Sequence, residues 1–144
     1  KLTSKGSVKF MKKFLLLFIL VSLPALSSEL IDKRKENYQA NKDHMRLIYN
    51  SIKSGDLDQV IKSSVVIENF AAEMPSYFPE GSESRGASDN IWLDFIGFEK
   101  SAKSNQKAAE ALKIAAQENN IEELNMLFDV LGKTCKSCHR SYKN

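Results

Sequence analysis

The residues best placed to do chemistry stand near the end of the chain, in the run Cys135-Lys136-Ser137-Cys138-His139. Two thiols at this spacing add to the two vinyl groups of a haem, and the histidine that follows swings beneath the iron. On a helix the two sulfurs share one face, and the next side chain projects toward the centre of a ring clamped at its edge. Three other readings fit the same five residues: a thioredoxin-like redox pair, half of a zinc site, or a short disulfide. Each lacks something. A redox pair follows a strand, zinc asks for about four ligands where His44 is the one further imidazole, and a disulfide closing so short a loop stabilises little. The expectation is one haem c per chain, anchored covalently by Cys135 and Cys138, with His139 as an axial iron ligand.

Such a group needs a scaffold around it, and the pattern upstream supplies helices. From Ile31 the positions Ile31, Arg34, Tyr38, Asn41, Met45, Ile48 and Ile52 recur at three-four spacing and so share one helix face. Gly55 and Asp56 end this helix and cap a second, with Leu57, Val60 or Ile61, Ser64, Ile67, Phe70 or Ala71 and Met74 facing inward until Pro75. Residues 75–89 hold Pro75, Pro79, Gly81, Gly86 and four serines, and are predicted to be the one long connection. A third helix is predicted from Ser88 or Asp89 to Asn119-Asn120, with Ile91, Phe95, Phe98, Ala102, Asn105, Ala109, Leu112 and Ala116 in heptad register. A fourth carries Leu124, Phe128, Leu131, Cys135, Cys138 and Tyr142 in the same register. Four segments with one apolar seam each predict an all-α, antiparallel four-helix bundle around a covalently attached haem.

The front of the chain reads as an address. Met11-Lys12-Lys13, the apolar run from Phe14 to Leu23, Pro24 and the small residues Ala25, Ser27 and Ser28 form a secretory signal peptide, 11–27, with cleavage expected near Ser27. The apolar run is shorter than the roughly 20 residues a spanning helix needs, so no stable membrane anchor is expected after processing. Residues 1–10, which precede Met11, are read as an upstream extension, and 28–144 as the mature domain. The formal charge of +3 comes from this front segment: residues 1–27 hold five lysines and no acid, and without them the charge is −2. Nucleic acid is therefore not an expected partner, and no basic stripe is expected in the mature chain.

With the C-terminal C-x-x-C-H and Arg34 early in the first helix, the mature chain resembles the class II c-type cytochromes, that is, cytochrome c′ and its low-spin relatives. Phe78-Pro79-Glu80-Gly81 and Asn90-Ile91-Trp92-Leu93-Asp94 look like that family's loop and the start of its third helix. The resemblance implies a periplasmic mono-haem protein, not an enzyme, which binds small diatomic gases such as nitric oxide and carbon monoxide at a five-coordinate iron or passes single electrons to redox partner proteins. The alternative it carries is a six-coordinate, low-spin electron carrier. It also implies pairing into a homodimer through the first two helices.

In such proteins the arginine at the Arg34 position approaches a haem propionate, and the residue at the Tyr38 position covers the open face of the iron. Low-spin members have methionine there and high-spin members an apolar side chain; Tyr38 is neither. It is read as a gate over the iron, since phenolate ligation would require Arg34 and ferric charge to lower a pKa that lies near 10. Lys143 fills a position where the family usually has arginine beside the proximal face. Asn41, Tyr77, Phe78, Trp92 and Phe95 complete the expected pocket. His44 is read as a solvated surface residue beside Asp43 and Arg46, and Arg34 has as its alternative a surface ion pair with Glu29 or Glu36.

Overall fold

The computed structural model describes residues 23–144. The expected extension 1–10 and residues 11–22 of the expected leader lie outside the described residues. Helix α1 runs Leu23–Ser54, and α2 Leu57–Glu73. Between them Gly55 adopts φ +76°, a left-handed conformation that costs glycine little, and the Asp56 amide donates back to the Ser51 carbonyl at 2.9 Å. Asp56 then caps α2 by accepting from the Gln59 amide at 3.0 Å. Pro75 ends α2 as expected, and the chain tightens into a 3₁₀ turn over Met74–Tyr77.

The third predicted helix is two helices: α3, Asn90–Leu93, and α4, Phe95–Gln117. The break is at Asp94, whose backbone leaves the helical region (φ −131°, ψ 56°) and whose carboxylate caps α4 by accepting from the Gly97 amide at 3.1 Å. Heptad spacing continues across the break because α3 is one turn long and re-enters in phase, so Ile91 and Phe98 are both buried. At the other end of α4, Asn119 takes φ +57° and the Asn120 amide returns to the Ala115 carbonyl at 2.8 Å, closing the helix before α5, Ile121–Tyr142.

Helices α1, α2, α4 and α5 form the antiparallel four-helix bundle. Helix α2 packs most extensively on α4, then α4 on α5 and α1 on α2, while α1 and α5 touch least of the neighbouring pairs. Two apolar clusters fill the bundle. One, with Ile48, Val60, Ile67, Ala109, Leu112, Leu124 and Leu131, is dry and aliphatic. The other, with Phe70, Met74, Phe78, Ile91, Phe98 and Tyr142, is aromatic. Lys113 and Glu68 bridge α4 to α2 at 2.6 Å with both side chains largely covered. His44 is not a free surface group: it is half-buried between α1 and α2, its Nδ1 3.1 Å from the buried Ser63 hydroxyl.

Candidate functional site

Where α1 and α5 separate, a cavity of about 490 Å³ opens, within the size range of pockets that hold small molecules and cofactors. Cys138, His139, Tyr142 and Lys143 line it from α5; Ile31, Arg34, Lys35, Tyr38, Gln39 and Lys42 from α1. Phe78, Ser84, Gly86, Ala87, Ile91 and Phe98 close the remaining sides. The inward faces of the first and last helices thus meet across one space, with the C-x-x-C-H on one wall and Arg34 and Tyr38 on the other.

Arg34 is the most constrained of these side chains, at 4% exposure. Its Nη2 donates to the Ser82 carbonyl at 2.7 Å, and its guanidinium lies 4.1 Å from the centre of the Phe78 ring. Nη1 is buried with no hydrogen-bond partner among the described residues. The surface ion pair is thereby excluded, since Glu36 instead faces Lys33 at 3.6 Å. A buried cation with an unused donor aimed into a cavity calls for an anion, and a carboxylate of the propionate kind fits. Burial lowers the pKa of Arg34, but the group stays charged at neutral pH.

Tyr38 packs edge-on against Phe70, ring centres 5.0 Å apart. Burial pushes its phenol well above 10, Cys138 adds to the rise, and Arg34 opposes it without prevailing. In the protein as described the side chain is a neutral phenol, the form suited to gating. Cys138 is pushed up to about 11, first by burial and then by Cys135 beside it. Burial also raises Cys135, against hydrogen bonds from Asn105 and Thr134. Both thiols are therefore protonated at neutral pH. His139 moves the other way, its pKa lowered by burial and then by the neighbouring Lys143, so its imidazole is held neutral, the form that can ligate a metal.

The two cysteines are not equivalent. Cys138 lines the cavity, whereas Cys135 sits half-buried beside α4, where the Asn105 amide nitrogen donates to its sulfur at 3.4 Å and to the Thr134 hydroxyl at 2.8 Å. Asn105 is buried among alanines and Leu112 on α4, and its amide there fixes the orientation of the first thiol.

The C-terminus is tied down rather than frayed. Ser88 donates to the Tyr142 carbonyl at 3.1 Å, the Asn144 side chain to the Ala87 carbonyl at 3.1 Å, and Ala87 and Lys143 form an antiparallel bridge. The long loop therefore holds Lys143 at the cavity. Tyr142 donates to Asp94 at 2.9 Å, linking the end of α5 to the start of α4. Gly97 belongs to the same knot: a Cβ there would collide with the Asp94 carboxylate and the Tyr142 hydroxyl.

Of the expected pocket residues, Arg34, Tyr38, Phe78, Cys138, His139 and Lys143 line the cavity. Asn41, Tyr77, Trp92 and Phe95 do not. Tyr77, Trp92 and Phe95 pack against the aromatic cluster behind it, Trp92 propping the loop by donating to the Phe78 and Pro79 carbonyls at 3.1 Å each. Asn41 has a buried, unpartnered carbonyl oxygen away from the lining. Ile91, Phe98 and Tyr142 were assigned to the inward faces by their spacing, but spacing alone did not assign them to the cavity. Ser82, Asp94 and Gly97 had no periodic signal, and Gly97 alone gave a hint, as a glycine inside an otherwise helical pattern.

A family model described as Cytochrome C' matches residues 29–143. The chain belongs to the cytochrome c′ family. It is similar to cytochrome c′ of Rhodospirillum rubrum, 30% identical over 122 residues that cover 78% of this chain and 80% of that protein. It is also similar to cytochrome c′ of Pararhodospirillum photometricum, 27% identical over 119 residues, 78% of this chain and 94% of that one. Among solved structures, cytochrome c′ from Thermochromatium tepidum superposes with a TM-score of 0.74 at 23% identity, over 81% of this chain and 95% of that chain. A nitric oxide complex of a leucine-to-alanine variant of the Alcaligenes xylosoxidans protein gives the same TM-score, 0.74, at 22% identity, over 82% and 95% of the two chains. As a cytochrome c′ family member the chain takes one c-type haem, and the cavity suits it: apolar side walls, an imidazole, a thiol and a buried guanidinium with one unpartnered nitrogen.

Proposed function

We propose that the mature chain, exported to the periplasm, tethers its haem through Cys135 and Cys138, ligates the iron with His139, and keeps the opposite face under Tyr38 as a gated site for small diatomic gases. The observation that carries this reading is one cavity with His139 on one wall and the neutral, half-buried phenol of Tyr38 on the other. When bound, the haem supplies a ligand-binding iron that also exchanges one electron. Arg34 would hold a propionate with the nitrogen left unpartnered, Nη1, while Ser82 and Phe78 fix its guanidinium. Tyr38, braced by Phe70, restricts access sterically. The nitric oxide complex among the structural neighbours supports the choice of ligand.

The alternative of a methionine-ligated, six-coordinate carrier is the weaker reading, because Met45 packs against the aliphatic cluster and is not among the cavity's lining residues. Leu47 and Tyr49 on α1 and Val66 on α2 leave apolar surface exposed, which supports pairing of two copies through these helices.

Optical spectra of the ferric and ferrous protein, with and without carbon monoxide, test the reading. A high-spin ferrous form that takes up carbon monoxide at once is the expected result. A low-spin form that refuses it would establish the electron-carrier alternative.

A further inference from the structure

From Val130 to Asn144 the formally charged residues are Lys133, Lys136, Arg140 and Lys143, with no acid among them. All four are exposed, and none has an ion-pair partner among the described residues. Spacings of three, four and three place them along one side of α5 and its end, adjoining His139 around the helix. Lys143 reaches the cavity itself, with Lys42 of α1 and with Lys35, which is paired with Asp32 at 3.0 Å. The sequence expectation of no basic stripe is thereby corrected. Summing over the mature chain gives −2 and hides a segment of +4 set against −6 in residues 28–129.

Helix stability does not explain the arrangement. Cations complement the carbonyl end of a helix, but only within the last turn. That accounts for Arg140 and leaves Lys133 and Lys136 unexplained. Like charges three or four residues apart on a helix also oppose one another.

We propose that this side of α5, with the lysines of α1 at the cavity rim, is the docking surface for the acidic face of a redox partner protein. The inference rests on the haem reading above and names its partner. Carbon monoxide binds ferrous iron, so a reductant must reach this end of the molecule, and complementary charge raises the rate of productive encounter. Nucleic acid fits less well, because its continuous charge would also meet the acidic remainder of the chain.

The test uses the mature holoprotein and two hexacyanometallate trianions. Hexacyanochromate(III), which is redox-inert, should broaden backbone amide resonances of residues 130–144 and of α1 near Lys35 and Lys42 in the diamagnetic carbon-monoxide-bound ferrous protein, and the broadening should fade as salt rises from about 10 to about 200 mM. Hexacyanoferrate(III), taking one electron from ferrous iron, should react more slowly as salt rises, despite the chain's negative net charge. Lys136→Glu with Arg140→Glu should abolish the broadening and slow the oxidation about tenfold. Lys62→Glu with Lys107→Glu makes the same change in net charge on α2 and α4, and should leave both within about twofold.

Oxidation that speeds up with salt, broadening elsewhere, or two double variants that behave alike would overturn the proposal. So would retention of duplex DNA at about 150 mM salt, which would put nucleic acid in the partner's place. A colourless preparation would instead overturn the haem reading, and the chromium titration, needing no redox group, would still decide the docking surface.

Discussion

The two ends of the bundle are built on opposite principles. Around Leu112, Leu124 and Leu131 the helices meet through aliphatic and small side chains with nothing between them. Around Phe78, Phe98 and Tyr142 the rings make a frame, edge to face at 4.9 and 5.4 Å, beside a cavity of about 490 Å³. The closed end is held chiefly by packing, with the Lys113–Glu68 bridge and the His44–Ser63 contact between its helices. The open end is held by cross-links at its margin: the Asp94–Gly97–Tyr142 knot, the pairing of the loop with Lys143, and Arg34 bound to Ser82. A scaffold for a large planar group needs both, since interdigitated side chains leave no room for it and an unbraced gap would collapse.

The largest effect that could break this contrast is loss of the haem. Cys135→Ala with Cys138→Ala should remove all covalently held Soret absorbance and lower stability by about 3 kcal/mol or more, roughly 10 °C of melting temperature, because a ligand bound only to the folded state stabilises it. Near-ultraviolet circular dichroism from the aromatic end should fall more than far-ultraviolet helicity; unchanged melting and spectra would mean the frame does not depend on its guest. Next in size, Leu112→Ala should cost about 2–5 kcal/mol in urea unfolding, by the same amount with or without haem, since its cavity opens in the closed end. A cost that depends on haem would show the two ends to be one.

Gly97→Ala probes the open end more narrowly. The added methyl displaces either Asp94 or Tyr142, and a loss of about 1–3 kcal/mol is expected, against about 1 kcal/mol for Tyr142→Phe, which removes only the hydroxyl bond. Equal losses would mean the knot relaxes freely. The smallest effect is alkaline. Burial raises the phenol of Tyr38, so the folded state favours the protonated form. The resulting stabilisation is complete below the ordinary tyrosine pKa of about 10 and is lost as pH climbs from there toward the raised folded value. Urea midpoints measured at pH 8 and pH 11 should fall less in Tyr38→Phe than in the parent.

Much of this was legible in the residues themselves. The inward positions of α1 named from spacing include Ile48, which is fully buried, and Arg34, whose exposure of 4% a polar side chain would not suggest. Gly55, Asp56 and Pro75 punctuate the chain where their backbone chemistry requires. Misreadings occurred where a residue's partner lies far along the chain. Asp94 looked like one more helical position, yet its carboxylate answers Tyr142, 48 residues away. His44 looked solvated because Ser63, on another helix, could not be seen beside it. The basic side of α5 vanished into a chain-wide sum, because a net charge carries no direction.

The sequence by itself determined the helices, their buried faces and the C-x-x-C-H chemistry, because periodicity, capping and motif spacing are local and act through a few residues at a time. Only the tertiary structure decided that α1 and α5 stand apart, that Arg34 keeps an unused donor toward the gap, and that the loop at 82–88 fastens the chain's end against it. These depend on how rigid helices sit relative to one another, a consequence of all their packed faces at once that no short stretch of residues encodes.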